Sequence, residues 1–513
     1  MSRRITSGAR HVTNIVLGVI TTILLVAALT ALFVIPGPQS WTDTVAATDD
    51  AIDQSVSPTQ SELYCPAPMG LADTGTYGDS AFQSSVGNLS TQARYAAFGS
   101  VYTSMVSAFG GSASTSDVTL KDRDLTDDAD VKTGAQQVTD SALMDTRMLQ
   151  AAEGTGSTGT IASWADDGDL KGVSAASCIP TSLSQSFLLT GSMTGTTQQL
   201  IVANPSTKPT SVDLAIWGSH QSGKLALSTQ SALSVPAGGE ASLDLSAAVS
   251  DQDGLYVTVS SKETPIAAVV RTVTMDGLTS KGSDFALPLS GMSNASVSPS
   301  VEAGDEVTAY LYTHADTATE LSWITSHGLV QAEKATLTDG QVSVVDLGKA
   351  PDGALGVMST AEDKLAMSIK TVRAGDGQQT DFALVNAAAP VRRSGVVVPD
   401  GVTATLTVAN TSNLEQTVTV HAYNADGDAL DSKDITIGAN SAERIAAKDF
   451  NKDGSSATIF MMTDDSHKVA WNARLTRDEL GDGKIAGISS VESVSLMPMT
   501  AHVWAHSNAG IVR

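Results

Sequence analysis

The sequence predicts a mainly β protein: one N-terminal transmembrane helix followed by tandem immunoglobulin-like β-sandwich domains. Three observations predict it. There is one long uncharged apolar run, an internal repeat with a period near 100 residues, and a succession of short alternating strands between Gly, Asp, Asn and Pro turns.

The apolar run comes first. Residues 15–35 read IVLGVITTILLVAALTALFVI, 21 positions without a charge. At about 1.5 Å per residue, a helix of that length spans the roughly 30 Å hydrocarbon core. In hydrocarbon the backbone must satisfy its own hydrogen bonds, which a helix does. Pro36-Gly37-Pro38 stops the helix, and Trp41 follows at interfacial depth. Arg3, Arg4 and Arg10 precede the run, whereas Asp43, Asp49, Asp50, Asp53 and Glu62 follow it. Positive residues stay on the cytoplasmic side. The expectation is a single-pass, uncleaved signal-anchor in the cell membrane, with residues 1–14 as a cytoplasmic tail and the bulk extracytoplasmic. A cleaved signal peptide is the alternative. Its apolar region would be shorter, and Phe33-Val34-Ile35-Pro36 is a poor cleavage context. Residues 36–60, rich in Thr, Asp, Ser and Ala, read as a linker.

The repeat is carried by three segments: LIVANPSTKPTSVDLAIW from Leu200, YLYTHADTATELSWI from Tyr310, and LTVANTSNLEQTVTVHAY from Leu406. Each reads as a strand, a polar turn and an alternating strand. Ala203-Asn204 matches Ala409-Asn410, with Tyr312-Thr313 at the same place. Each copy then carries an Asp-Gly turn, at Asp253-Gly254, Asp352-Gly353 and Asp453-Gly454. A short polar hairpin follows, and a strand ending on Arg271, Arg373 or Arg474, spaced by 102 and 101 residues. Two copies share Asp-Phe-Ala-Leu, at Asp284–Leu287 and Asp381–Leu384. Period-2 strands with turns every 8–12 residues indicate sandwiches of immunoglobulin size. The three repeats are placed at 181–290, 291–390 and 391–513, the last with a C-terminal strand. Residues 61–180 are expected to form a diverged β-rich domain. Its strands lie near 100–109, 116–122 and 158–175, with a polar, weakly helical stretch over 123–157. Together the domains read as a rod extending away from the membrane.

Composition narrows function. With 30 Lys plus Arg against 55 Asp plus Glu, the net charge is −25. Such a surface repels nucleic acid and anionic headgroups. The two cysteines, Cys65 and Cys178, lie outside the membrane on this topology. An even pair in an oxidising compartment suggests one disulfide closing the 61–180 domain, with two buried free thiols as the alternative.

Fragments that match known chemical motifs are short and lack their structural context. Gly78-Asp79-Ser80 and Asp464-Asp465-Ser466-His467 are similar to blocks of Gly-Asp-Ser hydrolases, but no apolar strand precedes Gly78 and the second block falls in a repeat hairpin. Asp449-x-Asn451-x-Asp453-Gly454 opens like a calcium loop, yet position 12 is Phe460 where a bidentate Glu belongs. His11, His220, His314, His327, His421, His467, His502 and His506 are scattered; only the last two are close, without a nearby carboxylate. Asn-x-Ser/Thr occurs at Asn88, Asn294 and Asn410. No phosphate-binding Gly loop, catalytic cysteine or dinucleotide fingerprint is present, so no catalytic, metal or cofactor site is assigned.

One resemblance is specific enough to name. Cys178-Ile179-Pro180 leads through Phe187, Thr190-Gly191 and Gly195 into Leu200–Ser206. The chain resembles an uncharacterised actinobacterial family of single-span, membrane-anchored exported proteins, a domain of unknown function. The resemblance implies a cell-envelope setting and brings no catalytic residues. The expected function is a non-enzymatic envelope protein that scaffolds or binds wall glycan or a membrane assembly partner. A surface adhesin and an envelope hydrolase are the alternatives.

Overall fold

A computed structural model describes residues 18–27, 30, 52–72, 83–111, 117–126 and 130–505. The chain forms two compact units, residues 58–498 and the remaining terminal segments. In the terminal unit, residues 18–27 are helical. Strand Ile52–Val56 pairs antiparallel with Ala501–Ala505. No helix among the described residues is long and apolar enough to cross a membrane. Residues 15–17, 28–29 and 31–35 of the expected anchor lie outside the described residues.

Residues 58–498 are mainly β. The strands group into four sandwiches, over residues 60–180, 184–286, 293–386 and 393–495. Each sandwich repeats one topology: its strands pair in the order 1-6-3-4 in one sheet and 5-2-7-8 in the other. The second sandwich shows it plainly. Strands Ser184–Thr190, Gly254–Ser261, Thr210–Gly218 and Ala232–Val235 form one sheet, and Gly239–Asp244, Thr196–Asn204, Ala267–Asp276 and Thr279–Ala286 the other. The immunoglobulin sandwich also pairs its second strand with its fifth and its third with its sixth, but its fourth pairs with the fifth rather than the third. The likeness is one of architecture, not of strand order.

The region 60–180 has the same order, with Ile179–Pro180 returning beside Gln60–Cys65. The stretch expected to be weakly helical supplies two of its strands, Lys132–Gln137 and Ala142–Met148. Their Thr, Gln and Asp positions mask an alternation that the partner strands complete. In the third sandwich, the expected hairpin at residues 360–363 is absent. Ala354–Ala374 runs as one strand through both sheets. Its first part pairs with Thr317–Thr325 and its last with Glu306–Thr313.

The sandwiches do not extend as a rod. Four apolar clusters fill the sandwich interiors, for example Leu200, Val212, Val257 and Val270 in the second. Four further clusters lie between sandwiches. Tyr64, Phe109, Ile201 and Phe285 join the first to the second. Leu188, Tyr256, Tyr310 and Tyr312 join the second to the third. Val297, Ile324, Ala409 and Ala470 join the third to the fourth. Ala96, Phe98, Val397 and Ile459 join the fourth back to the first. In each seam the 1-6-3-4 sheet of one sandwich meets the 5-2-7-8 sheet of its neighbour. Repeated head-to-tail contact closes into a ring when the rotation fits. Here it closes after four. Sheets covered on both faces read as continuous apolar runs. Leu200–Asn204, Ala267–Val270 and Leu311–Thr313 are buried without a break.

Candidate functional site

The ring has a centre, and the eighth strands fill it. Gly172–Ser177, Thr279–Ala286, Thr380–Asn386 and Ile488–Glu492 pack against one another around the axis. Polar groups from all four sandwiches meet there in three layers. In the first, Asp381 accepts from Val173 N and Ile488 N, each at 2.9 Å. In the second, Asp284 accepts from Ala175 N at 3.2 Å, Leu384 N at 2.9 Å and Ser489 Oγ at 2.8 Å. In the third, Asn386 Nδ2 donates to Leu287 O at 3.0 Å and Ser177 Oγ donates to Glu492 O at 2.9 Å. The Glu492 carboxyl meets Asn386.

Glycine makes the first layer fit. A Cβ on Gly172 would sit 2.4 Å from Asp381 Oδ2, and one on Gly282 would sit 2.6 Å from Oδ1. Both have φ in the left-handed half, +130° and +111°, which side chains disfavour. Asp284 and Asp381 are wholly buried. Burial pushes Asp284 up to about 8 despite its four hydrogen-bond donors, and pushes Asp381 well above the usual carboxylate range. Burial of the Glu492 carboxyl pushes it up to about 7. The Lys370 ammonium lies over the Phe382 ring, 4.2 Å from its centroid, and burial brings it down to about 8. The junction offers hydrogen-bond acceptors and exchangeable protons, but its two aspartates are sealed from solvent. Its chemistry is that of a latch.

The residues singled out in sequence go elsewhere. Cys65 and Cys178 form a disulfide, buried inside the first sandwich. Cys178 directly follows the eighth strand, so the bond ties that strand to Gln60–Cys65. The repeated arginines are structural. Arg271 donates to Pro68 O at 2.6 Å, across the first seam. Arg474 reaches Asp305 at 2.9 Å across the third, where Arg373 also pairs with Asp305 and Glu302. The buried Asn204 and Asn410 clasp two turns each. Asn204 Nδ2 donates to Lys208 O and Pro236 O, and Asn410 Nδ2 to Leu414 O and Gly438 O. Thr313 holds the same position in the third sandwich and donates to Lys364 O.

Asp464 is buried and caps its own turn, accepting from Ser466 N, Lys468 N and Val469 N, while His467 is exposed. Gly78-Asp79-Ser80, His11 and His506 lie outside the described residues. Phe460 of the calcium-like segment sits in the fourth core, 5.6 Å from Phe450, and Asn451 Oδ1 accepts from Ala457 N. His220 pairs with Asp253, His327 with Ser326 and His421 with Ser432, each on the surface. Asn88 binds the Asp166-Asp167 turn and Asn294 reaches Glu362 O. Among the described residues, no group of three or more His, Cys, Asp or Glu side chains is placed to hold a metal ion. In the sequence, Asp284 and Asp381 stand out only as part of a repeated motif. An acidic residue held beside Phe at the same place in two copies was the available signal for a buried role.

Comparison with known proteins places the chain in one family. The family described as "Family of unknown function (DUF5719)" matches residues 133–448, more than half of the sequence. No curated protein matches. Among solved structures, the chain is similar to a glycosyl hydrolase family 2 member from Bacteroides cellulosilyticus, at 8% identity and a TM-score of 0.10. That match covers 46% of this chain and 29% of the other, a likeness too faint to carry an argument.

Proposed function

The chain belongs to the DUF5719 family of unknown function, and we propose that it is a non-enzymatic, membrane-anchored, extracytoplasmic protein of the cell envelope. In this role it scaffolds or binds wall glycan or a membrane assembly partner. One observation carries the proposal. Val19, Ile20, Ile23, Leu24, Leu25 and Val26 are each 50–64% exposed on the helix at residues 18–27. A helix that is apolar all round belongs inside a protein or a bilayer. The charge asymmetry around residues 15–35 sets the ring outside, where its disulfide persists. The absence of catalysis is supported by how the acidic and polar residues are used. Asp284, Asp381, Asp464, Asn204 and Asn410 are consumed in internal bonds.

Membrane fractionation with protease accessibility tests the proposal. The full chain should stay with membranes through alkaline washing, and its ring should be cut only by protease added from outside. Deleting residues 1–36 should release it. A full chain found in the soluble fraction, or reached only from the cytoplasmic side, overturns the proposal.

A further inference from the structure

The four seams are built alike, so each serves as a control for the others. Where Ala203 and Ala409 stand one residue before the end of the second strand of their sandwiches, the third sandwich has Tyr312. The seam between third and fourth sandwiches holds with Val297, Ile324, Ala409 and Ala470, without an aromatic ring in its cluster. The seam between second and third gathers aromatics in a chain with only 4% of them. Tyr256 and Tyr312 stack at 3.8 Å with planes 6° apart. Trp217 lies against both, at 5.6 Å and 5.8 Å, and His314 meets the Tyr312 ring edge-on at 5.2 Å. Trp217 is half-buried and His314 exposed, so this stack comes to the surface, and the buried Tyr312 hydroxyl has no hydrogen-bond partner. Aliphatic packing suffices to join sandwiches, as the next seam demonstrates. The first and closing seams also carry rings, Tyr64, Phe109 and Phe285 in one and Phe98 in the other; what sets the second seam apart is a face-to-face tyrosine pair with a half-buried tryptophan beside it.

The rim beside Trp217 is polar and fixed. Val342 N donates to Gly218 O and Gly223 N to Gly340 O, each at 2.9 Å, tying the two sandwiches across the seam. The Gln252 side chain holds the backbone of Ser219 and His220, and Gln341 donates to Ser219 O. His220 pairs with Asp253 at 3.0 Å, both about half exposed. Asp339 is also exposed there.

We infer that this seam is a binding site for a neutral, N-acetylated or unmodified pyranose oligosaccharide, with Trp217 as its stacking platform. Sugar C–H faces lie well on an indole, while carboxylate, imidazole and amide groups at the rim bind hydroxyls. Ligand sites favour domain interfaces with aromatic lining and a few fixed polar groups. The carboxylates of Asp253 and Asp339 repel anionic polymers, which excludes phosphate-rich glycans. The inference rests on the envelope reading only for the source of the sugar.

Detergent-solubilised full chain should be titrated with tetra-N-acetylchitotetraose, followed by calorimetry and tryptophan fluorescence. Saturable binding is expected. Trp217→Ala should weaken it by at least about tenfold, roughly 1.4 kcal/mol, while Trp217→Phe keeps most of it. His314→Ala, which spares the stacked tyrosines, should weaken binding less, and thermal unfolding of each variant confirms an intact seam. Absence of saturable binding, or binding unchanged in Trp217→Ala, overturns the inference. Membrane fractionation of Trp217→Ala separates the two proposals: lost sugar binding with retained membrane association supports this site, whereas a soluble wild-type chain defeats the envelope reading alone.

Discussion

The seam that closes the ring and the seams the chain crosses are held by different means. Between successive sandwiches the backbone itself is the tether, with few residues between one eighth strand and the next first strand, as from Ala286 to Ser293 and from Asn386 to Arg393. The fourth and first sandwiches have no such link within residues 58–498. Their seam relies on contacts between residues far apart in the chain. The buried Arg94 donates to Val398 O at 3.1 Å and to Ala425 O, and pairs with Asp400. Arg477 lies over the Trp164 ring, 4.6 Å from its centroid. Arg392 pairs with Glu153, and Gly154 N donates to Leu496 O at 2.9 Å. The ring can therefore open at its closing seam. Breaking a crossed seam loosens two neighbours that stay at high local concentration. Breaking the closing seam turns a ring into an open chain.

Arg474→Ala, at a crossed seam, removes a partner of the wholly buried Asp305. Losing the charged bond to Asp305, which keeps Arg373, together with the bond to Ser300 O should cost about 3 kcal/mol in denaturant unfolding, yet native-state proteolysis should show no early release of the first sandwich. Gly172→Ala drives a methyl into Asp381 at the junction. Strain and overlap should cost about 2–3 kcal/mol by the same measurement. Arg94→Ala leaves the buried Val398 carbonyl of the closing seam without its donor, at about 2 kcal/mol. Although smaller in energy than Arg474→Ala, it should open the ring, seen as faster limited cleavage between residues 178 and 184.

The last effect is one of pH. Asp284 and Glu492 have folded values raised to about 8 and about 7. Between the unfolded carboxylate value and these, the folded state binds more protons, so stability falls as pH rises. Their contribution is full below about pH 4 and is lost through pH 7–8. Lys370, lowered to about 8, gives the opposite slope only above that pH. Thermal midpoints measured from pH 5 to 8 should decline, and Asp284→Asn should flatten the decline. A midpoint that rises across that range contradicts the assignment.

Much of this architecture was legible in sequence. Arg271, Arg373 and Arg474 at near-equal spacing, and the Ala-Asn pair at strand ends, marked the repeats because every copy must solve the same turn and seam. The first sandwich hid because it lacks those marks. Its second strand ends on Phe98, with Gly99 following instead of a clasping Asn, and a disulfide does part of the holding. Ring closure was written in LIVAN, IAAVV and AYLYT, continuous apolar runs that two-faced burial demands. Period-2 reading treats such runs as imperfect alternation and so yields a rod. The central latch was less accessible still, because its partners are backbone N–H groups of Val173, Ala175, Leu384 and Ile488, which leave no trace in residue identity.

Small-angle scattering from residues 58–498 tests the closed ring most directly. A closed four-sandwich ring should give a radius of gyration near the compact-chain expectation, roughly 22–25 Å for this length. It should expand on Arg94→Ala. A wild-type radius about twice that value, unchanged by the substitution, would mean sandwiches strung end to end and no closed ring.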